Sequence, residues 1–83
     1  MTPQQQSQQA LQLLKQAVLD YLQSQPDGVT NADVARSLKL ESDFQGQQKN
    51  YLSWSVLGLL VNEGKVRFGK VGRSRIYFPD LKR

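Results

Sequence analysis

The sequence predicts a small α+β domain, three helices followed by a carboxy-terminal β-hairpin. Three observations lead there. A mostly apolar stretch of helical spacing ends at Gly64; two short runs that alternate charged and apolar residues follow it, joined by a glycine-containing loop; and two earlier helical segments each carry a start signal.

The opening residues, 1–9, are glutamine-rich and read as either an extension or the first turns of a helix. Thr2-Pro3-Gln4-Gln5 fits a capping box with proline at the first helical position, which favours the helix. From Ala10 the period is clear: Leu11, Leu14, Val18 and Leu22 or Tyr21 share a face, widened by Leu13, Ala17 and Leu19. This helix should end near Ser24, because Pro26-Asp27-Gly28 turns the chain. Thr30-Asn31-Ala32-Asp33 is a second capping box, with Val29 and Val34 at the positions of a hydrophobic staple. The second helix therefore covers 31–38 and turns Val34, Ala35 and Leu38 inward.

In the connection that follows, Ser42-Asp43-Phe44-Gln45 offers a cap for a helix starting at Asp43. Gly46 argues against it, since glycine costs about 1 kcal/mol inside a helix. The third helix is accordingly placed at 47–62, with Phe44 as an apolar anchor under the connection. On a helical projection Leu52, Trp54, Val56, Leu57, Leu59, Leu60 and Val61 spread over a wide arc, so the helix should be packed on most sides, with Trp54 in the core. One narrow polar edge remains: Gln47, Gln48, Tyr51, Ser55, Gly58 and Asn62. Gly64 is a suitable left-handed stop. Lys65-Val66-Arg67-Phe68 and Arg75-Ile76-Tyr77-Phe78 then alternate, which puts Val66, Phe68, Ile76 and Phe78 on one hairpin face and projects Lys65, Arg67 and Arg75 outward. Residues 69–74 supply the loop glycines, with Lys70 and Arg73 at the tip. Pro79-Asp80 ends the last strand, and 80–83 is a short basic tail.

With 83 residues the chain makes one domain, and such a chain buries only about two thirds of the surface its unfolded form exposes. It contains no cysteine, so no disulfide or thiolate zinc site supplements the core, and no histidine, the usual general base and commonest transition-metal ligand. The seven carboxylates are scattered, and no glycine-rich loop follows a strand and opens a helix. An enzyme, a cofactor and a small-molecule ligand are therefore not expected. The amino terminus has no basic region followed by an apolar one, and the longest apolar stretch, 54–61, falls short of the roughly 18 residues a membrane span needs. A cytoplasmic protein without a membrane partner is expected.

The net charge of +4 is unevenly spread. Residues 1–64 carry four basic and six acidic side chains, a balance of −2, whereas 65–83 carry seven basic and one acidic, a balance of +6. A basic block of this kind attracts polyanions, chiefly nucleic acid or an anionic membrane surface, and its place on an exposed hairpin beside a polar helix edge favours nucleic acid. The alternative is a solvated hairpin whose Lys and Arg keep its edges from pairing with other chains.

The order helix, capped short helix, longer helix, basic hairpin resembles the winged helix-turn-helix superfamily of small bacterial and archaeal transcription regulators. The residues that carry the resemblance are Gly28-Val29-Thr30-Asn31-Ala32-Asp33-Val34-Ala35, the run from Tyr51 through Glu63-Gly64-Lys65-Val66, and the tip from Lys70 to Arg75; the domain would span 10–79. The resemblance implies that Val29 adds a short third strand to the hairpin, that the helix at 47–62 lies in the major groove, and that the hairpin is a wing against phosphates. Residues 39–46 depart from the pattern, being longer than the three- or four-residue turn of the simple motif.

On that basis Gln47, Gln48, Asn50, Tyr51 and Ser55 are the candidate DNA contacts of the helix, because amide and hydroxyl side chains match base edges. Lys65, Arg67, Lys70, Arg73 and Arg75 are the candidate phosphate contacts. The competing class is a protein-docking module or a non-specific architectural binder, with the absence of a large exposed apolar stripe weighing against docking. A homodimer formed along the long, uncharged start of the first helix is a further expectation, since it would bury surface that a small core leaves open.

Overall fold

The computed structural model describes residues 1–46 and 48–80, with Phe44 as backbone alone. It is a small α+β domain of three helices and a carboxy-terminal antiparallel hairpin, with a second, miniature hairpin inserted before the third helix. The tail beyond Asp80 lies outside the described residues.

Helix α1, Pro3–Gln23, starts at the very beginning of the chain. The Thr2 hydroxyl accepts from the Gln5 N–H (3.1 Å) and the Gln5 side chain accepts from the Thr2 N–H (2.8 Å), and Pro3 has no N–H to satisfy, so of the first-turn donors only that of Gln4 is left without a helical partner. The glutamine-rich opening is thus helix. Val18 and Leu22 are fully buried, with Leu14, Leu19 and Tyr21 packed beside them. Leu13, 74% exposed, and Ala17 face water, so the apolar face is narrower than the sequence period suggests. Helix α2, Asn31–Leu38, has the expected capping box, Thr30 and Asp33 exchanging hydrogen bonds of 3.1 Å each way. Those bonds, and Arg36 beside the carboxylate, hold the Asp33 carboxyl below its ordinary value.

The connection corrects the sequence reading. Asp43–Phe44 (β1) pairs antiparallel with Gln48–Lys49 (β2), and α3 spans Tyr51–Asn62, four residues later than 47. Gln48 and Asn50 are therefore not on the helix, and Gln47 lies outside the described residues, as does the expected anchoring by the Phe44 side chain. The physical reason is in the backbone. Gln45 and Gly46 both take positive φ (54° and 72°), closing a tight turn, and Asn50 does so again at 59°, which a helical residue cannot. Ser42 caps α3 from outside: its hydroxyl accepts from the Leu52 N–H at 3.1 Å, and its carbonyl accepts from the Asn50 N–H. At the other end Gly64, φ 76°, makes a Schellman stop, with its own N–H on the Val61 carbonyl and the Lys65 N–H on that of Leu60.

Strands β3 (Val66–Val71) and β4 (Ser74–Pro79) pair over their whole length, leaving only Gly72 and Arg73 as the loop; Gly72, φ 62°, supplies the positive φ that a two-residue turn needs. The ladder places Phe68 opposite Tyr77 and Val66 opposite Pro79. Opposed residues share a face. Val66 and Phe68 therefore go with Tyr77 rather than with Ile76 and Phe78, and Arg67 and Arg75 lie on opposite faces instead of one outer face. The sequence alternation misled because Arg75-Ile76-Tyr77-Phe78 is apolar at three consecutive positions, which leaves its phase open. Tyr77 is buried and bridges to Val29 through two backbone hydrogen bonds, Val29 N–H to Tyr77 carbonyl (2.9 Å) and Tyr77 N–H to Val29 carbonyl (2.7 Å). The third strand at Val29 is present as this single bridge.

The core draws Val18 and Leu22 from α1, Val29, Val34 from α2, Val56, Leu57 and Leu60 from α3, and Val66 and Tyr77 from the hairpin. Only one arc of α3 is used. Leu52 (39%), Trp54 (56%) and Leu59 (40%) are exposed, contrary to the expectation of a helix packed on most sides with Trp54 inside. The layer behind α3 is too thin to cover more than the Val56, Leu57 and Leu60 side.

Gly28 sits between α1 and the bridge at φ 90°, and a Cβ there would overlap Cγ2 of Ile76 while touching the Tyr77 carbonyl. Gly28→Ala is expected to lose about 1–3 kcal/mol of stability through strain and displacement of β4. Gly58, helical and with open space around it, is the counterpart: Gly58→Ala should gain about 0.4–1 kcal/mol. Urea midpoints measure both, and equal midpoints for Gly28→Ala and the parent chain would contradict the close packing against Ile76.

Candidate nucleic-acid interface

The start of α3 is held by a polar knot. The Asn50 carbonyl accepts from the Trp54 N–H (3.2 Å), from the Asn31 amide (3.0 Å) and from the Ser53 hydroxyl (3.2 Å), and that hydroxyl also lies 2.6 Å from the Asn31 Oδ1. Ser53 is fully buried, and Asn31 satisfies it. Asn31 is the first residue of α2, so the first turn of one helix is tied to the first turn of the next.

This geometry presents Tyr51 (44% exposed), Trp54 and Ser55 on the outer side of α3. One depression there is lined by Asn31, Gln48, Lys49, Tyr51, Trp54 and Ser55. A second, bordered by Thr30, Trp54, Ser74, Arg75 and Tyr77, separates α3 from the hairpin. Trp54 lines both and forms the ridge between them. Of the residues the sequence nominates, Gln48, Tyr51 and Ser55 thus come together although Gln48 arrives from β2, while Asn50 serves through its backbone carbonyl. Trp54 and Lys49 belong to the same surface and were missed. An apolar arc too wide for so small a core was the available signal for Trp54.

The cations fall into two groups. At the root of the hairpin, Lys65 lies 3.7 Å from Glu63 and Arg67 lies 4.0 Å from Asp80 and over the Phe78 ring. Glu63 also pairs with Lys15 of α1, whose hydrogen bond holds the Glu63 carboxyl below its ordinary value, with Lys65 adding to it. Further out, Lys70, Arg73 and, beside α3, Lys49 have no acidic partner within ion-pair distance among the described residues; Arg75 stacks its guanidinium 4.4 Å from the Phe68 ring centre and is likewise unpaired. Lys70 and Arg75 oppose each other in the ladder and so share a face with Phe68 and Tyr77. Arg75 consequently borders the Trp54 depression.

Among the described residues no three acidic, histidine or cysteine side chains gather into a metal-binding group, and no helix is long and apolar enough to cross a membrane. Tyr51, Leu52, Trp54 and Leu59 are all exposed on α3, with Leu52 and Leu59 on one side and Trp54 on another, Ser55 and Gly58 between them. Compared with protein-family models, curated proteins and solved structures, the chain matches none of them.

Asn31→Ala removes the donor to the Asn50 carbonyl and leaves buried Ser53 with a poorer partner. It is expected to cost about 1–3 kcal/mol in urea unfolding, and to speed amide exchange in the first turn of α3 more than in α1. Uniform exchange in both helices would contradict the knot as the anchor of α3.

Proposed function

We propose that the chain is a winged helix-turn-helix DNA-binding domain, of the kind found in small transcription regulators, with α3 in the major groove and the β3–β4 hairpin as a wing on phosphates. Three helices, a bridging strand at Val29 and a terminal hairpin suit that arrangement. The observation that carries the proposal is the set of cations without an acidic partner in ion-pair distance among the described residues: Lys49 and Arg75 border the depressions on the two sides of Trp54, and Lys70 and Arg73 lie further out on the hairpin. Phosphates line both sides of a groove, so cations on two sides of a reading helix can each meet one.

Within this reading the roles divide. Ser55 and Gln48 offer hydrogen-bonding groups to base edges, Tyr51 offers its ring and hydroxyl, and Lys70 and Arg73 neutralise phosphate. Lys65 and Arg67 contribute less, since Glu63 and Asp80 already offset them. A protein-docking role is the second reading, favoured by Leu52 and Leu59, which are apolar, exposed and away from the cations.

Salt titration of duplex binding tests the proposal. With four cations engaged, the log-log slope is expected near −3 to −4, from roughly −0.9 per phosphate neutralised. Lys70→Ala with Arg73→Ala should weaken all sequences equally, whereas Ser55→Ala or Gln48→Ala should cost about 1–3 kcal/mol on a selected site and little on random duplex. A flat salt dependence would leave the docking role standing instead, and no preferred sequence emerging from a random pool would leave a non-specific architectural binder.

A further inference from the structure

Trp54 is the single tryptophan of the chain, and more than half of it is in water although the core is small. Tyr51 precedes it by one helical turn, so the two rings are neighbours on one face. Lys49 borders the depression on one side of the indole and Arg75 the depression on the other. The side chains of Gln48 and Ser55, in the first depression, make no hydrogen bond among the described residues and remain open to a ligand.

A paired duplex is a poor match for that ridge. Bases in a helix expose edges to the groove and keep their faces stacked on each other, so an indole there finds at most a thymine methyl. An unpaired base has a free π-face, and stacking on aromatic side chains beside a cationic track is how single strands are bound without sequence preference. Cations on both flanks, with amide and hydroxyl groups at the edge, suit a base between two phosphates better than an apolar protein side chain.

We infer that Trp54, assisted by Tyr51 and bracketed by Lys49 and Arg75, is a stacking platform for an unpaired nucleobase, so that the domain binds single-stranded segments or the open end of a duplex as well as paired DNA. This rests on the nucleic-acid reading above and extends it to a ligand that the groove-reading geometry does not require. The base enters over the indole face, its neighbouring phosphates meet Lys49 and Arg75, and its edge meets Gln48 or Ser55. No covalent step is involved.

The chain carries its own reporter, since all tryptophan emission comes from Trp54. Titration with oligothymidylate should quench that emission strongly, and an intact duplex of equal length should quench it little. Anisotropy of labelled oligonucleotides then separates stacking from general attraction. Trp54→Ala should weaken oligothymidylate binding roughly tenfold or more, Trp54→Phe should keep most of it, and both should weaken duplex binding far less and leave the urea midpoint unchanged. Oligouridylate in a parallel titration tells whether ribose or deoxyribose strands bind more tightly, and stacking on either supports the platform. Duplex binding without oligothymidylate or oligouridylate binding overturns this inference and leaves the proposed function intact. Equal loss of single-strand and duplex affinity in Trp54→Ala overturns it too, and failure to bind any of these nucleic acids removes both readings in favour of a protein-docking surface.

Discussion

Three consecutive residues hold the two halves of the molecule together. Val29 exchanges a pair of backbone hydrogen bonds with Tyr77 of β4, and Asn31, two residues on, holds the Asn50 carbonyl and Ser53 at the start of α3. Between them Thr30 caps α2. The clamp matters because it adds directional hydrogen bonds to the turn at Gly64 and the shared apolar core that otherwise join the hairpin and α3. With both attachments the hairpin cannot swing without breaking the bridge, and α3 cannot slide without exposing a buried hydroxyl, which costs about 1–3 kcal/mol when its partner is lost. Gly28 belongs to the same arrangement, since only a residue without Cβ lets the chain pass Ile76 on its way to Val29.

A core of this size sets what remains outside. The α3 side chains at Val56, Leu57 and Leu60 are fully used, and no layer exists to cover Trp54, Leu52 or Leu59. Burying a large side chain contributes about 1.5–3 kcal/mol, so an exposed tryptophan is stabilisation left unrealised in a domain with little to spare. On the proposed function that exposure has a use, because the indole lies between the depressions that Lys49 and Arg75 border. The acidic side chains nearest the hairpin, Glu63 and Asp80, sit at its root, so its positive charge concentrates toward the tip, whereas Lys49 on β2 stands opposite Asp43 of β1.

Much of this was legible in the amino-acid order. The two capping boxes at Thr2 and Thr30, the stop at Gly64 and the existence of the hairpin each rest on local chemistry that few backbones satisfy, and each is found where the residues point. The register of the hairpin was not legible, because Ile76-Tyr77-Phe78 offers three apolar residues in a row and only the Val29 bridge selects Tyr77 for the core. The connection failed for another reason. Asn50 and Gln45 at positive φ, and a cap supplied by Ser42 from ten residues before Leu52, are tertiary solutions that no local pattern announces, although Asn is the residue type that tolerates such a φ best. The candidate site shifted with it: Gln48 kept its place by a different route, Asn50 lent its carbonyl instead of its amide, and Trp54 moved from core to surface.

The central claim is that the outer side of α3 and the far half of the hairpin act as one surface toward nucleic acid. Backbone and indole chemical-shift mapping with a short duplex added in steps tests it most directly, because it reports every position at once without altering any. The account predicts that Lys49, Tyr51, Ser55, Lys70, Arg73, Arg75 and the Trp54 indole shift together along a single binding curve, while Gln12, Leu13 and Gln16 of α1 stay still. Shifts confined to α1, or to Leu52 and Leu59 without the hairpin, would contradict it.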